Sequence, residues 1–194
     1  KGKIIGVQTN RGFIETSKVV DAAGGWSQQI AKMVNVELPV YSERHEILVT
    51  ESVKPILNPM LMSFSYNIYC QQTPDGSFIM GYGPGFNTHS SWQFLETMSK
   101  KATWLLPPLN KIRILRQWAG LYNISPDKQP IVSKIKDVEN FYVACGFSGH
   151  GFMIAPAIGV LMADIITESE FTYDVILDIE RYIRGVVISE PSVV

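Results

Sequence analysis

Phe141-Tyr142-Val143-Ala144-Cys145-Gly146-Phe147-Ser148-Gly149-His150-Gly151 runs directly into an apolar stretch that ends at Ala163. The first five residues have no charged break. They read as a short strand covered on both faces, as in a parallel α/β layer. Gly146, Gly149 and Gly151 then mark a turn whose backbone can approach a ligand closely. Phe152–Thr167 reads as a helix, with Pro156 near its first turn. The unit is strand, glycine turn, helix. A helix N-terminus presents unpaired N–H groups and the positive end of a dipole, so a phosphate or a delocalised anionic ring suits the place. A glycine-softened packing turn satisfies the same pattern equally well.

A second junction of this kind lies near the other end. Lys18-Val19-Val20-Asp21-Ala22-Ala23 is almost continuously apolar, and Gly24-Gly25 follows. Ser27 is the expected cap of a short helix, Gln28–Val34, with Ile30, Ala31 and Val34 on one face. Alone, this junction is explained by a tight turn. Two such junctions in one α/β layer favour one extended ligand at the carboxyl ends of the strands. Upstream, Lys3–Thr9 reads as a strand, Asn10-Arg11-Gly12 as a hairpin turn and Phe13–Ala22 as the returning strand. With no initiator Met and no lead-in, the chain reads as one entered in mid-fold.

Between the junctions the style changes. Val40–Thr50, Leu61–Gln72 and Ser77–Tyr82 read as strands, with Thr73-Pro74-Asp75-Gly76 turning the last two back on each other. A helix opens at Thr88 or Ser90 and covers Ser91–Leu106, with Phe94, Leu95, Met98, Ala102 and Leu105 at helical spacing. Pro107-Pro108 stops it. Lys111–Trp118 is a further strand, and Thr172–Arg184 a final helix. The expected fold class is α+β: an antiparallel sheet carrying one long helix, beside an incomplete α/β layer from residues 13–34 and 130–167. The near-continuous apolar strands Val19–Ala22 and Phe141–Cys145 need cover on both faces, so each should show an open edge or an exposed apolar face.

Composition narrows the function classes. The 194 residues are 46% hydrophobic and 18% charged, enough for a sizeable core and too apolar for a disordered tail. A formal net charge of −1 lacks the basic surplus of a nucleic-acid binder. Cys70 and Cys145 stand far apart, with no metal-ligand spacing around them. The longest apolar stretch, Gly151–Ala163, is too short for a membrane span, and no signal peptide opens the chain, so a cytoplasmic location is expected.

Weaker motifs give less. Gly81-Tyr82-Gly83-Pro84-Gly85 lacks the Lys-Ser/Thr of a phosphate loop and no helix follows it directly. Ser148 and His150 do not form the GxSxG of a hydrolase. His45 and His89 are isolated. Tyr66, Trp92, Trp104 and Trp118 are candidates for the core. Tyr69 and Tyr122, near strand ends of the antiparallel sheet, would line a pocket beside the glycine turns.

These segments together carry a family resemblance. Val19–Ser27 (VVDAAGGWS), Arg44–Glu51 (RHEILVTE), Gln72–Gly76 (QTPDG), Trp118–Tyr122 (WAGLY) with Ser125-Pro126-Asp127, and Gly146–Pro156 (GFSGHGFMIAP) occur in this order. The chain resembles the C-terminal half of flavin-dependent amine oxidoreductases, the family of D-amino-acid oxidase, glycine oxidase and sarcosine oxidase. It is most similar to β subunits of heteromeric sarcosine oxidase and L-proline dehydrogenase. The resemblance implies residues 1–37 and 121–194 as returning parts of an FAD-binding domain and 38–120 as the substrate domain. The ADP-binding half with its GxGxxG motif would lie outside the chain, and other subunits or a homo-oligomer are possible partners.

By the same resemblance, Ala23, Gly24 and Trp26 flank the adenosine and pyrophosphate of FAD. Gly149, His150, Gly151, Phe152 and Met153 face the pyrimidine end of the isoalloxazine, where a side chain at Gly149 or Gly151 would push the ring away. Tyr69 and Tyr122 border the amino-acid substrate as the catalytic candidates. The implied activity is oxidation of a primary or secondary amino acid of the sarcosine, proline or glycine type by hydride transfer to FAD. The alternative is a non-catalytic fragment or subunit that binds no FAD without a partner, and the isolated fragment is expected to be inactive. Tyr122 stands where glycine oxidase has a carboxylate-clamping Arg, and glycine oxidase also has an Arg in place of Gly149. Gly120 replaces the flavin-tethering Cys of monomeric sarcosine oxidase, and Ile79 and Met153 replace two of its lysines. These departures argue against covalent flavin through this half and against an efficient oxidase of the monomeric sarcosine type, and favour a dehydrogenase or a subunit that passes electrons onward.

Overall fold

The computed structural model describes residues 2–82, 91–168 and 175–187. In chain order, β1 (Gly2–Lys3), β2 (Gly6–Thr9), β3 (Gly12–Glu15), β4 (Val19–Asp21) and α1 (Ser27–Lys32) come first. They are followed by β5 (Tyr41–Ser52), β6 (Leu61–Ser63), β7 (Ile68–Gln72), β8 (Ser77–Tyr82) and α2 (Trp92–Leu105). The last third holds β9 (Ile114–Ile124), β10 (Ile131–Lys134), β11 (Val138–Glu139), β12 (Phe141–Cys145) and α3 (Gly151–Thr167). The chain divides into two compact units, Glu43–Leu121 and the remainder, Lys1–Ser42 with Tyr122–Val194.

In the unit Glu43–Leu121, the strand order is β6-β7-β8-β5-β9. The registers between β5 and β8, β6 and β7, and β7 and β8 are antiparallel. Alternate residues Ile68, Cys70, Phe78, Met80 and Leu48 turn inward. Phe94, Met98 and Ala102 recur every four residues on α2 and bury against them. Ser91 caps α2, its hydroxyl accepting the Phe94 N–H at 3.1 Å. Buried Gln72 ties down the segment after β5: its Oε1 accepts from Ile56 and Leu57 N–H, and its Nε2 donates to the Val53 and Gly76 carbonyls.

In the other unit, β12 lies at the centre of a mixed sheet, antiparallel to β10 and parallel to β4. Ile131, Phe141, Val143 and Cys145 bury on one face with Ala31 of α1 and Leu38. Val132, Tyr142 and Ala144 bury on the other against Leu161 and Met162 of α3. β2 and β3 form a small hairpin, and β1 runs parallel to β11.

The mixed α/β character and the antiparallel sheet with its helix agree with expectation. Several local expectations need correction. β3 and β4 are separate strands in different sheets, because the chain breaks after Glu15 and β4 leaves the hairpin to pair with β12. Leu61–Gln72 is two strands with a turn at Phe64–Asn67, where Asn67 takes a positive φ. Residues 111–118 are entered through a 3₁₀ turn, and the strand extends instead to Ile124.

Among the described residues of the expected final helix, 175–184, no α-helix forms. Val175–Leu177 and Ile179–Arg181 are 3₁₀ turns separated by extended Asp178, whose carboxylate accepts the Glu180 N–H and the Ser133 hydroxyl. Strand β12 has no open edge, since β10 and β4 occupy both sides. β4 does have one among the described residues, and Val20 on it is exposed. Tyr66, Trp92, Trp104 and Trp118 are exposed rather than core, Tyr66 and Trp104 packing on each other with ring centres 4.3 Å apart.

Candidate functional site

The parallel register pairs Phe141 with Val19, Tyr142 with Val20 and Val143 with Asp21. The turns that follow Asp21 and Cys145 therefore leave the sheet side by side, at the same carboxyl end. This brings two groups of sequence-selected residues into one unit: Ala23, Gly24 and Trp26 on the first turn, and Gly149, His150, Gly151, Phe152 and Met153 on the second.

The first turn is organised by Asp21. Its Oδ1 accepts the Ala23 N–H at 3.0 Å, and a 3₁₀ turn, Gly24–Trp26, follows. Gly24 has φ +56°, and a Cβ there would meet nothing within 4 Å. That conformation favours glycine and leaves open space on its outer side. Trp26 is exposed. Because the 3₁₀ turn advances the start of α1, Ser27 is the first helical residue and not the expected cap. Its hydroxyl and Asp21 Oδ2 are both buried. Burial raises the Asp21 carboxyl above its ordinary range, against the pull of the Ala23 N–H and the nearby Ser27 hydroxyl. The Ser27 hydroxyl is the donor within reach of that carboxylate, so the two buried groups can satisfy each other.

The second turn is held from β9. Asn123 Oδ1 accepts the Gly146 N–H at 2.7 Å, and the Asn123 carbonyl accepts the Ser148 N–H at 3.0 Å. Ser148 Oγ donates to the Gly146 carbonyl and accepts the Ser125 N–H. These bonds hold Gly146, Ser148 and Gly149 at positive φ, of which only Ser148 is not glycine. Gly146 has a packing reason as well, because a Cβ would stand 3.0 Å from Ser125 Cβ. A Cβ on Gly151 would stand 3.1 Å from Phe147 Cβ, so the chain itself also constrains this position. His150 precedes α3 without a side-chain cap, leaving first-turn N–H groups unclaimed by it. Phe152 is 97% exposed and Met153 68% exposed at that helix start.

Ser148 is buried and committed to the turn's backbone, which gives it a structural role and not that of a nucleophile. The thiols are likewise inert. Burial pushes Cys145 up to about 12, with the Asp21 charge adding to it, and Cys70 up to about 11. His45 is buried on β5 and sits 3.6 Å from Glu43, with burial lowering its pKa against that carboxylate. Gly83, Pro84, Gly85 and His89 lie outside the described residues.

Tyr69 sits on β7 opposite Gly81 of β8, and a Cβ on Gly81 would collide with the Tyr69 ring. Gly81 is thus explained by the tyrosine lying across it. Tyr122 is half-buried on β9, and burial raises its phenol. Tyr69 belongs to the unit Glu43–Leu121 and Tyr122 to the other, so the two are not brought into one described site. Residues that sequence reasoning missed are Asn123, which holds the second turn, and Arg181, buried beside Asp127. Asn123 had a signal in its place between Tyr122 and Ser125. Arg181 had none.

Comparison with known proteins gives a consistent result. The family described as "DAO: FAD dependent oxidoreductase" matches residues 1–165. Sarcosine oxidase subunit beta of Rhodobacter capsulatus is 30% identical over 193 residues, covering 97% of this chain and 46% of the relative. Glycine oxidase of Pseudomonas putida is 28% identical, covering 88% of this chain and 47% of its own length. Among solved structures, L-proline dehydrogenase from P. horikoshii superposes with a TM-score of 0.84 at 35% identity, over 96% of this chain and 54% of that one. The chain spans about half the length of the curated relatives it matches.

Proposed function

The chain belongs to the DAO family of FAD-dependent oxidoreductases, and from that premise we propose that it supplies the substrate-domain and returning FAD-domain portions of an amino-acid oxidoreductase. The substrate class is a primary or secondary amino acid of the sarcosine, glycine or proline type, after the names of its relatives. The observation that carries the reading is the pairing of two glycine turns at the carboxyl ends of parallel neighbours β4 and β12.

The residues present fit FAD. Gly24 offers open space on the first turn, where a Cβ would meet nothing within 4 Å. On this reading Ala23, Gly24 and Trp26 flank the adenosine and pyrophosphate, and Gly149, His150, Gly151, Phe152 and Met153 face the pyrimidine end of the ring. Bound FAD would supply the acceptor for hydride from the substrate carbon that bears nitrogen. The chain's own contribution is electrostatic and positional. The start of α3 stabilises negative charge placed before it, and the positive-φ turn keeps side chains out of the way.

Tyr69 and Tyr122 border the amine pocket on this reading. Gly120 offers no thiol for covalent attachment, and Ile79 and Met153 offer no lysine, which favours a dehydrogenase. The ADP-binding half would come from polypeptide outside residues 1–194, and the open edge of β4 is a place for it to pair. The name sarcosine oxidase subunit beta makes association with other subunits a further part of the proposal. No helix of the described residues is long and apolar enough to cross a membrane, and we place the enzyme in the cytoplasm.

The test is the visible spectrum of the complete purified protein, with Gly149→Ala beside it. The expected result is near-stoichiometric flavin bands in the parent and weakened FAD retention in the variant, because alanine is strained at φ +99°. A folded, colourless parent protein would overturn the reading and favour a non-catalytic subunit.

A further inference from the structure

The turn Ile179–Arg181 is remote in sequence from the glycine turn, yet one buried side chain connects them. Arg181 and Asp127 each have fully buried side chains. Arg181 Nε donates to Asp127 Oδ2 at 2.8 Å and Nη2 to Oδ1 at 2.9 Å, a two-pronged pairing. Nη1 donates to the carbonyls of Pro130 and Asp178, and the two protons of Nη2 are shared among Asp127 Oδ1, the Gln129 carbonyl and the Tyr182 hydroxyl. That hydroxyl donates in turn to Asp127 Oδ1 at 2.8 Å. Every guanidinium nitrogen is engaged, which is what a buried charge requires if it is not to destabilise its surroundings.

The same carboxylate faces the second glycine turn. The single proton of the Ser125 hydroxyl is shared between the Gln129 carbonyl at 2.7 Å and Asp127 Oδ1 at 3.2 Å, both of which Arg181 also bonds. The Ser125 N–H donates to Ser148 Oγ at 3.4 Å. Ser148 is held left-handed without being glycine, at φ +49°, as is Lys128 in the neighbouring loop, at φ +60°. Such a conformation persists only where surrounding contacts over-determine it. The continuous path is Arg181, Asp127, Ser125, Ser148, and then the backbone of Gly149–Met153.

We propose that Asp127 and Arg181 are positioning residues for the cofactor turn: the buried pair fixes Ser125, Ser125 fixes Ser148, and Ser148 sets where the Gly149–Met153 backbone lies. This inference rests on the reading of Gly149–Met153 as FAD-facing. It gives the C-terminal turn a role in cofactor binding, although none of its residues has been placed at the cofactor.

The experiment uses the complete flavoprotein and measures FAD dissociation constants by reconstitution of the apoprotein, with apoprotein melting recorded in parallel. Arg181→Lys keeps the charge and loses the fork. It should weaken FAD binding roughly tenfold, the change expected for one lost charge-assisted hydrogen bond. Ser148→Ala should weaken it similarly, and the double variant should be little worse than the weaker single one, because both break one path. Additive effects of the two, or a lowered melting temperature with unchanged FAD affinity, would overturn the proposal. Tyr182→Phe removes only a hydroxyl and covers the case in which Arg181→Lys does not fold. It should weaken FAD two- to threefold on the order expected for a neutral hydrogen bond, again non-additively with Ser148→Ala; no effect, or an additive one, overturns the proposal. Gly149→Ala separates the two claims. If it leaves FAD affinity unchanged, the FAD-facing reading itself fails. If it weakens FAD while Arg181→Lys and Tyr182→Phe do not, only the positioning role fails.

Discussion

Helices α2 and α3 are similar in length and opposite in how they are used. α2 buries Phe94, Met98 and Ala102 as one stripe and turns Glu96, Lys100 and other polar groups to solvent. α3 is far more apolar, yet among the described residues it buries only Leu161 and Met162. Phe152, Met153 and Val160 are exposed on it. A solvent-facing helix surface is usually polar; α2 departs from that at Trp92 and Trp104 near its two ends, whereas α3 as a whole is composed for a cover the described residues do not supply. In the proposed enzyme that cover is FAD at the helix start and further polypeptide along its length.

The contrast sets the order of expected effects. Met98→Ala empties a fully buried site on α2 and should lower unfolding stability by about 2–5 kcal/mol in denaturant titration. Val160→Ser on α3, judged by its described surroundings alone, should be nearly neutral. A loss at Val160 approaching that at Met98 would show that the helix is covered in the complete protein, and would sharpen the comparison.

Acid is the next lever, and it acts in the unit that holds α3. Burial pushes the Asp127 carboxyl up, but the Arg181 guanidinium, the Tyr182 hydroxyl and the Gln129 N–H outweigh it and hold the pKa at about 2, below its ordinary 3.8. A depressed carboxylate adds stability above its unfolded pKa and loses it as pH falls through the folded one. About 2 kcal/mol should therefore disappear between pH 3.8 and about 2. Asp127→Asn should flatten that part of the stability–pH profile; an unchanged profile would remove Asp127 from the account. The smallest effect returns to α2. Ser91→Ala deletes the cap on the Phe94 N–H and should cost about 1 kcal/mol, measured in the same titration.

What was legible in the sequence follows from local chemistry. The segment Phe141–Gly151 reads as strand and turn because an unbroken apolar run meets three glycines, and α2 because a four-residue apolar repeat runs up to Pro107; the sequence alone puts its start at Thr88 or Ser90, whereas the cap is Ser91. β10 was missed since Ile131–Lys134 is four residues long, with Pro130 before it, and its burial comes from pairing with β12. Residues 172–184 read as a helix, yet in the described part, 175–184, long-range bonds from Arg181 and Asp178 hold two short 3₁₀ turns instead. In the candidate site the two glycine turns were visible as motifs. Their supports were not, because Asn123 meets Gly146, and Arg181 meets Asp127, across separations that leave no local pattern.

The central claim is that the backbone at the start of α3 faces FAD. Peroxide oxidation of Met153 in the complete protein, with and without bound FAD, tests it most directly, because Met153 is exposed there and Met98 on α2 is fully buried as an internal reference. The account predicts that FAD slows Met153 oxidation several-fold while Met98 stays unreactive in both states. Equal Met153 rates with and without FAD would contradict it.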